Sequence, residues 1–350
     1  MILSPRTRQV YDPPALASAA ATGRRRRDVL EERRFLGFAL IAPAVLFIVV
    51  LVGVPLVLAI YLSLTDATAG ALTGKFVWFQ NYIDAWHSEN FRRAFRNTII
   101  FTVVSQAIVL VVAGVLAHVF VKTFRGRWFL RFLILLPWAA PVSLSTVGFL
   151  WIFHPLYSIF NWTLTHDIIP GGPAFFPYRA VNWAFARDFW PGAIQISPIE
   201  PIDPPQWLGE PNLAMAAIIL VHAWRIIPFA MVIFIAGLAS LPPEIDDAAL
   251  VDGATGLKKF WYVTFPLQLP IALVALLFGI VFTATDLAVV QVLTGGGPFN
   301  TTQILTTWAY ATGINGGALG EGAAISLYLL PVLAIVAVLM LYFARRVEVT

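Results

Sequence analysis

With 350 residues, 59% of them hydrophobic and only 12% charged, the chain has more apolar surface than one water-surrounded core can hide, because soluble domains average about 25% charged residues. The absence of cysteine excludes disulfides, thiolate catalysis and cysteine-ligated metal or iron–sulfur centres. The formal charge of +4 sits in short clusters beside apolar runs rather than on one face, which argues for a lipid bilayer and against nucleic acid as a partner.

The elements follow in chain order. Residues 1–34 form an Arg-rich polar tail (Arg24 to Arg27, then Arg33 and Arg34). The apolar run that follows, 36–64, is about twice the 7–15 residues of a secretory signal, so it is expected to be a retained helix with the tail in the cytoplasm. A helix needs about 20 apolar residues to cross the hydrocarbon layer. Runs of that kind lie near 36–64, 95–121, 129–153, 212–240, 268–293 and 323–344. The expected fold is therefore all-α, a polytopic membrane bundle of about six spans over 35–346. Pro137 and Pro141 interrupt the third run, which is expected to be a kinked span.

Basic residues orient these spans. With the N-terminus inside, the segments 1–35, 122–131, 241–267 and 345–350 hold 16 of the 23 Lys and Arg. Segment 122–131 alone has Lys122, Arg125, Arg127 and Arg131 with no acid, whereas 294–322 has no Lys or Arg. That asymmetry predicts both termini in the cytoplasm. The external segment 154–211, rich in Pro and aromatics, is too long for a bare turn. It reads either as a surface cap anchored at the interface or as a docking surface.

Motifs for energy conversion are missing. No G-x-x-x-x-G-K-[ST] loop occurs, and the run Gly295-Gly296-Gly297-Pro298 follows no strand, so it reads as a flexible turn. The five His form no H-x-x-x-H pair, and no G-x-S-x-G elbow is present. Any ATP chemistry must come from another subunit.

The connection 241–267 is the informative one. Pro242-Pro243 and the acids Glu244, Asp246 and Asp247 suit the first turn of a helix, and Gly253 suits its end with a positive φ. Ile245, Ala248, Ala249 and Asp252 share one face by spacing, and the alanines would let another backbone come close. From the residues alone this is either a docking helix or an inert surface turn. The stretch 241–270 resembles the EAA loop of binding-protein-dependent ABC importer permeases, L-P-x-E-x-x-E-A-A-x-x-D-G-A. Glu244, Ala248, Ala249, Asp252 and Gly253 match, and Asp247 stands where the family has a docking Glu, one methylene shorter. Trp224-Arg225-Ile226-Ile227-Pro228-Phe229, Gly237-Leu238 and Leu293-Thr294-Gly295-Gly296-Gly297-Pro298 are similar to motifs of the sugar-importing branch, the maltose and glycerol-phosphate type. Asn97-Thr98 and Trp207-Leu208-Gly209 match it more weakly, and about 165–205 has no counterpart.

The resemblance implies a type I importer permease in a prokaryotic cell membrane, with no cofactor of its own. It implies a second permease, two ATPase subunits that bind ATP and Mg, an extracytoplasmic solute-binding protein, and a sugar as the solute. Glu244, Asp247, Ala248, Ala249, Asp252 and Gly253 would dock on the ATPase. Intramembrane polar groups are costly and usually face a bundle interior or a cavity. Arg225 in span four and Asp286 in the outer half of span five are therefore candidates for the solute route or the permease interface, against a plain structural pair. Gln106, Asn97 and Thr285 join them, and Trp224 and Phe282 either stack on a pyranose or pack in the core. Two other classes compete. An ion-driven secondary transporter would show repeated halves, and an intramembrane glycosyl-transfer enzyme would cluster its acids near one interface; neither pattern occurs.

Overall fold

The computed structural model describes residues 33–161 and 205–348, so the expectations for the tail 1–32 and for 162–204 lie outside the described residues. Among the described residues the structure is helical, with two isolated bridges, Thr65 to Phe76 and Thr68 to Ala71, in place of strands. A bilayer demands this, because a helix satisfies its backbone hydrogen bonds within itself. The chain divides into two units, 1–56 and 57–350.

In the first unit α1 (Arg33–Ile48) widens into a π-turn (Val49–Gly53), after which α2 (Val54–Ser63) begins and runs past the unit's boundary at Leu56. The widening has a local cause. Pro55 has no N–H, and its ring would collide with the carbonyl four residues back. The N–H of Val54 reaches instead to Val49, five residues back, and the extra residue in the turn relieves the clash. The same device recurs at Phe260–Thr264, where Phe265 bonds to Phe260 immediately before Pro266.

The second unit holds α3 (Gln80–His87), α4 (Glu89–Val121), α5 (Arg127–Ala139), α6 (Val142–Ile152), α7 (Pro211–Ala239) and α8 (Pro243–Val251). It continues with α9 (Gly256–Lys259), α10 (Phe265–Ala284), α11 (Ala288–Leu293), α12 (Leu305–Tyr310), α13 (Leu319–Leu327) and α14 (Leu329–Glu348). Among the described residues, five stretches are long and apolar enough to cross a membrane: Leu40–Ser63, Glu89–Val121, Pro211–Ala239, Gly256–Ala284 and Leu319–Ala344. A sixth exists only as a bent pair, α5 with α6.

Two spans depart from expectation. The third is broken rather than kinked: α5 and α6 meet at 97°. Ala140, at the bend, is extended with φ −70° and ψ 143°, the conformation imposed on a residue that precedes proline. The fifth is not continuous to 293. Its helix stops at Ala284, and Thr285-Asp286-Leu287 leaves the helical path before α11 resumes. Asp286 therefore sits in a helix break rather than inside a span.

The largest helix–helix interface joins α4 and α7. Ala113 and Ala117 on one side and Ala223 and Ala230 on the other are buried together with Val109, Ile226, Met231 and Phe234. Small side chains suit this interface, because lipid gives helices no hydrophobic reason to associate and close van der Waals packing must hold them. Where α7 meets α10, a Cβ on Gly237 would lie 2.8 Å from Ile271 Cδ1, so glycine sets that approach. The outward faces of the bundle carry exposed Val103, Val111, Leu220 and Val338, as a lipid-facing surface should.

Candidate functional site

Three of the expected polar residues converge. Arg225, in the middle of α7, forms an ion pair with Asp286 through Nη2 and Oδ2. The same carboxylate oxygen lies 3.0 Å from His222 Nδ1, one turn earlier on α7. His222 Nε2 is 2.9 Å from the Thr283 hydroxyl, to which Gln106 Nε2 of α4 donates at 2.6 Å. The Thr283 hydroxyl in turn donates to Gly279 O at 2.7 Å, which ties the chain of contacts to the backbone of α10. Asp286 also fixes the break in which it sits, since Oδ1 accepts from Val289 N at 2.9 Å and its carbonyl accepts from Thr306 Oγ1 at 2.8 Å. Unpaired buried polar groups are costly in hydrocarbon, so such a chain locks α4, α7 and α10 together.

The ion pair floors a recess of about 380 Å³ lined by Trp138, Val142, Arg225, Ile226, Phe282 and Thr285, with Leu287 and Ala288 beyond. Both helix breaks border it. Trp138 and Val142 flank the α5–α6 bend, and Thr285 to Ala288 form the break after α10. Non-helical backbone at membrane depth is tolerated where it is buried in protein or lines a cavity. Trp138 stacks on Phe229 at 4.9 Å, and Phe282 stands 5.9 Å from it, which makes an aromatic wall beside the charged floor.

Trp224 and Asn97 lie elsewhere, and Gln106 meets the site only through Thr283. Trp224 meets Phe149 edge-on at 5.0 Å, on a face of α7 that does not line the recess. Asn97 donates to the carbonyls of Thr301 and Gln303 at 2.7 and 3.0 Å, which pins the 294–304 loop to α4. That loop is not the loose turn expected. Thr302 N bonds to Gly296 O at 3.1 Å, and Gly296 has φ 89° with the Gln303 side chain packed where a Cβ would be. Gln106 reaches the network through Thr283 but faces a groove between α4, α10 and α14. His222 and Trp138 carry no motif that marks them. A histidine in an apolar run reads as core, and its only signal was its place three residues before Arg225.

In the 241–267 connection, α8 begins at Pro243 and ends before Gly253, which has φ 71°. The face assigned from spacing is split. Ala249 is buried and Ile245 half-buried, whereas Ala248 and Asp252 are exposed. A face of Glu244, Asp247, Ala248 and Val251 is left open, with Val251 87% exposed.

The fold and the recess define a class: a helical membrane domain with a polar, cavity-lining site between broken spans, which is the architecture of a solute-translocating protein. The family model described as "Binding-protein-dependent transport system inner membrane component" matches residues 110–349, and the chain belongs to that family. It is a permease of the ABC-importer type. Among its relatives are the trehalose/maltose transport system permease protein MalF of Thermococcus litoralis, 27% identical over 83% of this chain and 88% of the relative, and the sn-glycerol-3-phosphate transport system permease protein UgpA of Brucella abortus, 28% identical over 90% and 95%. A probable ABC transporter permease protein, y4oQ, of Sinorhizobium fredii is 30% identical over 95% and 96%. A chain of a bacterial alginate ABC transporter solved with its pentasaccharide-bound periplasmic protein superposes with a TM-score of 0.69 at 17% identity, covering 92% of this chain and 97% of that one.

Proposed function

We propose that this permease passes a sugar or sugar derivative, delivered by an extracytoplasmic binding protein, along a route that includes the recess floored by Arg225 and Asp286. The observation that carries this reading is the recess itself, in which an aromatic wall stands beside a charged pair between two helix breaks. A sugar has an apolar C–H face for Trp138 and Phe282, and hydroxyls that both donate and accept for Asp286 and Arg225. The named relatives support the substrate class, because the solutes in their names are polyhydroxylated. In this reading a sister permease completes the channel. Two ATPase subunits, which hold ATP and Mg, engage α8 through Glu244, Asp247, Ala248 and Val251 on the cytoplasmic side. The chain itself catalyses nothing.

The test is uptake by the complete complex in vesicles. Arg225→Ala and Asp286→Ala are each expected to raise the half-saturating solute concentration about tenfold, the size of one lost charge-assisted hydrogen bond. Unchanged half-saturation in both variants removes the recess from the route.

A further inference from the structure

The joint between α8 and the helical run that follows is built to bend. Between Val251 and Gly256 the chain passes through Gly253 with φ 71° and Gly256 with φ 55°, and neither has a heavy atom within 4 Å of where a Cβ would stand. Beyond the joint, Gly256–Ala284 forms one run of 29 residues that reaches the break holding Asp286. Force applied to α8 reaches the recess on one side through α7, which carries Arg225, and on the other only across this pair of glycines and along the run that follows. Two left-handed glycines in open space resist little, because glycine adopts many backbone conformations at similar energy.

Few contacts stiffen the joint. Ala254 N donates to Ala249 O at 2.8 Å, and the side chains of both alanines are buried. One side-chain bridge spans it: Lys259 Nζ lies 2.8 Å from Asp246 Oδ1. Asp246 belongs to the first turn of α8 and Lys259 to the first turn of the long run, so the bridge joins lever to shaft outside the hinge. Lys259 is well covered, with 24% of its side chain exposed, whereas Asp246 is 62% exposed. Immediately after Lys259, Phe260 packs edge-on against His118 of α4 at 5.2 Å, which anchors the shaft side of the joint to the bundle.

From this arrangement we infer that Asp246 and Lys259 form a brace that couples α8 to the long helix, so that movement of α8 turns the shaft instead of being absorbed at the glycine joint. The inference rests on the reading that α8 docks on an ATPase. Both residues are positioning residues, and neither touches solute or nucleotide. An exposed pair adds little to stability in water.

The experiment uses the complete complex reconstituted in vesicles. It measures solute molecules moved per ATP hydrolysed for Asp246→Lys, Lys259→Asp and the double reversal, and the ATPase subunits that co-purify with each. Each single reversal is expected to lower the transport-to-hydrolysis ratio about fivefold, the scale of a partly covered ion pair, with ATPase binding retained. The double reversal is expected to return the ratio to within about twofold of the native value. Ratios unchanged in the singles overturn the brace, as does a double reversal that is no better than the singles. If the native chain brings down no ATPase, the docking reading fails and the brace falls with it. That result is distinct from a docked complex whose ratio ignores these charges.

Discussion

At the scale of single residues, the cluster of Arg225, His222, Asp286, Thr283 and Gln106 has a structural role that can be separated from its transport role. Asp286 is 6% exposed, and removal of Arg225 alone leaves a buried carboxylate with only His222 and a backbone N–H. Breaking one side of a buried pair costs about 3–5 kcal/mol, whereas neutralising both sides is often nearly neutral. Arg225→Met should therefore lower the thermal midpoint of the detergent-solubilised protein, and Arg225→Met/Asp286→Asn should recover most of the loss while solute affinity stays impaired. Recovery is expected because the amide oxygen of an Asn at 286 can still accept from Val289 N, while its NH2 donates to His222 Nδ1 in the ring's Nε2–H tautomer. A double variant as unstable as the single would mean that the pair's charge balance is not what the cluster contributes. Arg225 and Asp286 were legible in the sequence as costly intramembrane charges, but their partnership, 61 residues apart, was not. Composition and spacing see one helix at a time. Trp138 was hidden for the same reason: among apolar neighbours in a membrane run nothing distinguishes a cavity-lining tryptophan from a lipid-facing one.

At the scale of elements, helix ends were more legible than helix interiors. Pro242-Pro243 and Gly253 bracket α8 because each has a backbone preference that acts locally. The break at Thr285-Asp286-Leu287 left no such mark. It contains neither proline nor glycine; Val289 N donates to Asp286 Oδ1 as a local cap, and the tertiary bond from Thr306 Oγ1 to Asp286 O holds it open. The face shared by Ile245, Ala248, Ala249 and Asp252 divides between buried and exposed for a related reason, since alanine fits either kind of site and spacing alone cannot assign it. The capping glycine gives a sharp prediction. Proline is fixed near φ −65° and has no N–H, so Gly253→Pro can neither adopt φ 71° nor donate to Leu250 O, a bond of 3.1 Å. The substitution is expected to distort the end of α8 and cut coupled uptake more than tenfold while the protein inserts normally. A variant that transports at the native rate would remove α8 from the coupling path. A tighter packing test lies at Gly322, where a Cβ would stand 2.5 Å from Gly313 Cα. Gly322→Ala should destabilise the fold by about 1–3 kcal/mol, as overpacking of close-packed helices does, read as a lower thermal midpoint.

At the scale of the whole second unit, α4 works as a ruler. Near its start Asn97 holds the 294–304 loop, and near its end His118 meets Phe260 of the 241–267 connection. These contacts are 21 residues apart on one helix, or about 32 Å at 1.5 Å per residue, which is the thickness of a hydrocarbon core. The two connections are therefore expected on opposite membrane faces. The distribution of Lys and Arg independently predicts a cytoplasmic 241–267 connection, because Lys122, Arg125, Arg127 and Arg131 follow the same end of α4. The chain has no cysteine of its own, so single cysteines report position without background. Val251 and Phe299 are 87% and 89% exposed, which makes both suitable for labelling. With a membrane-impermeant maleimide, Phe299→Cys is expected to label in intact cells, and Val251→Cys only in inverted vesicles. If both label from one side, α4 does not cross the bilayer as this geometry requires, and a cytoplasmic docking role for α8 has no physical basis.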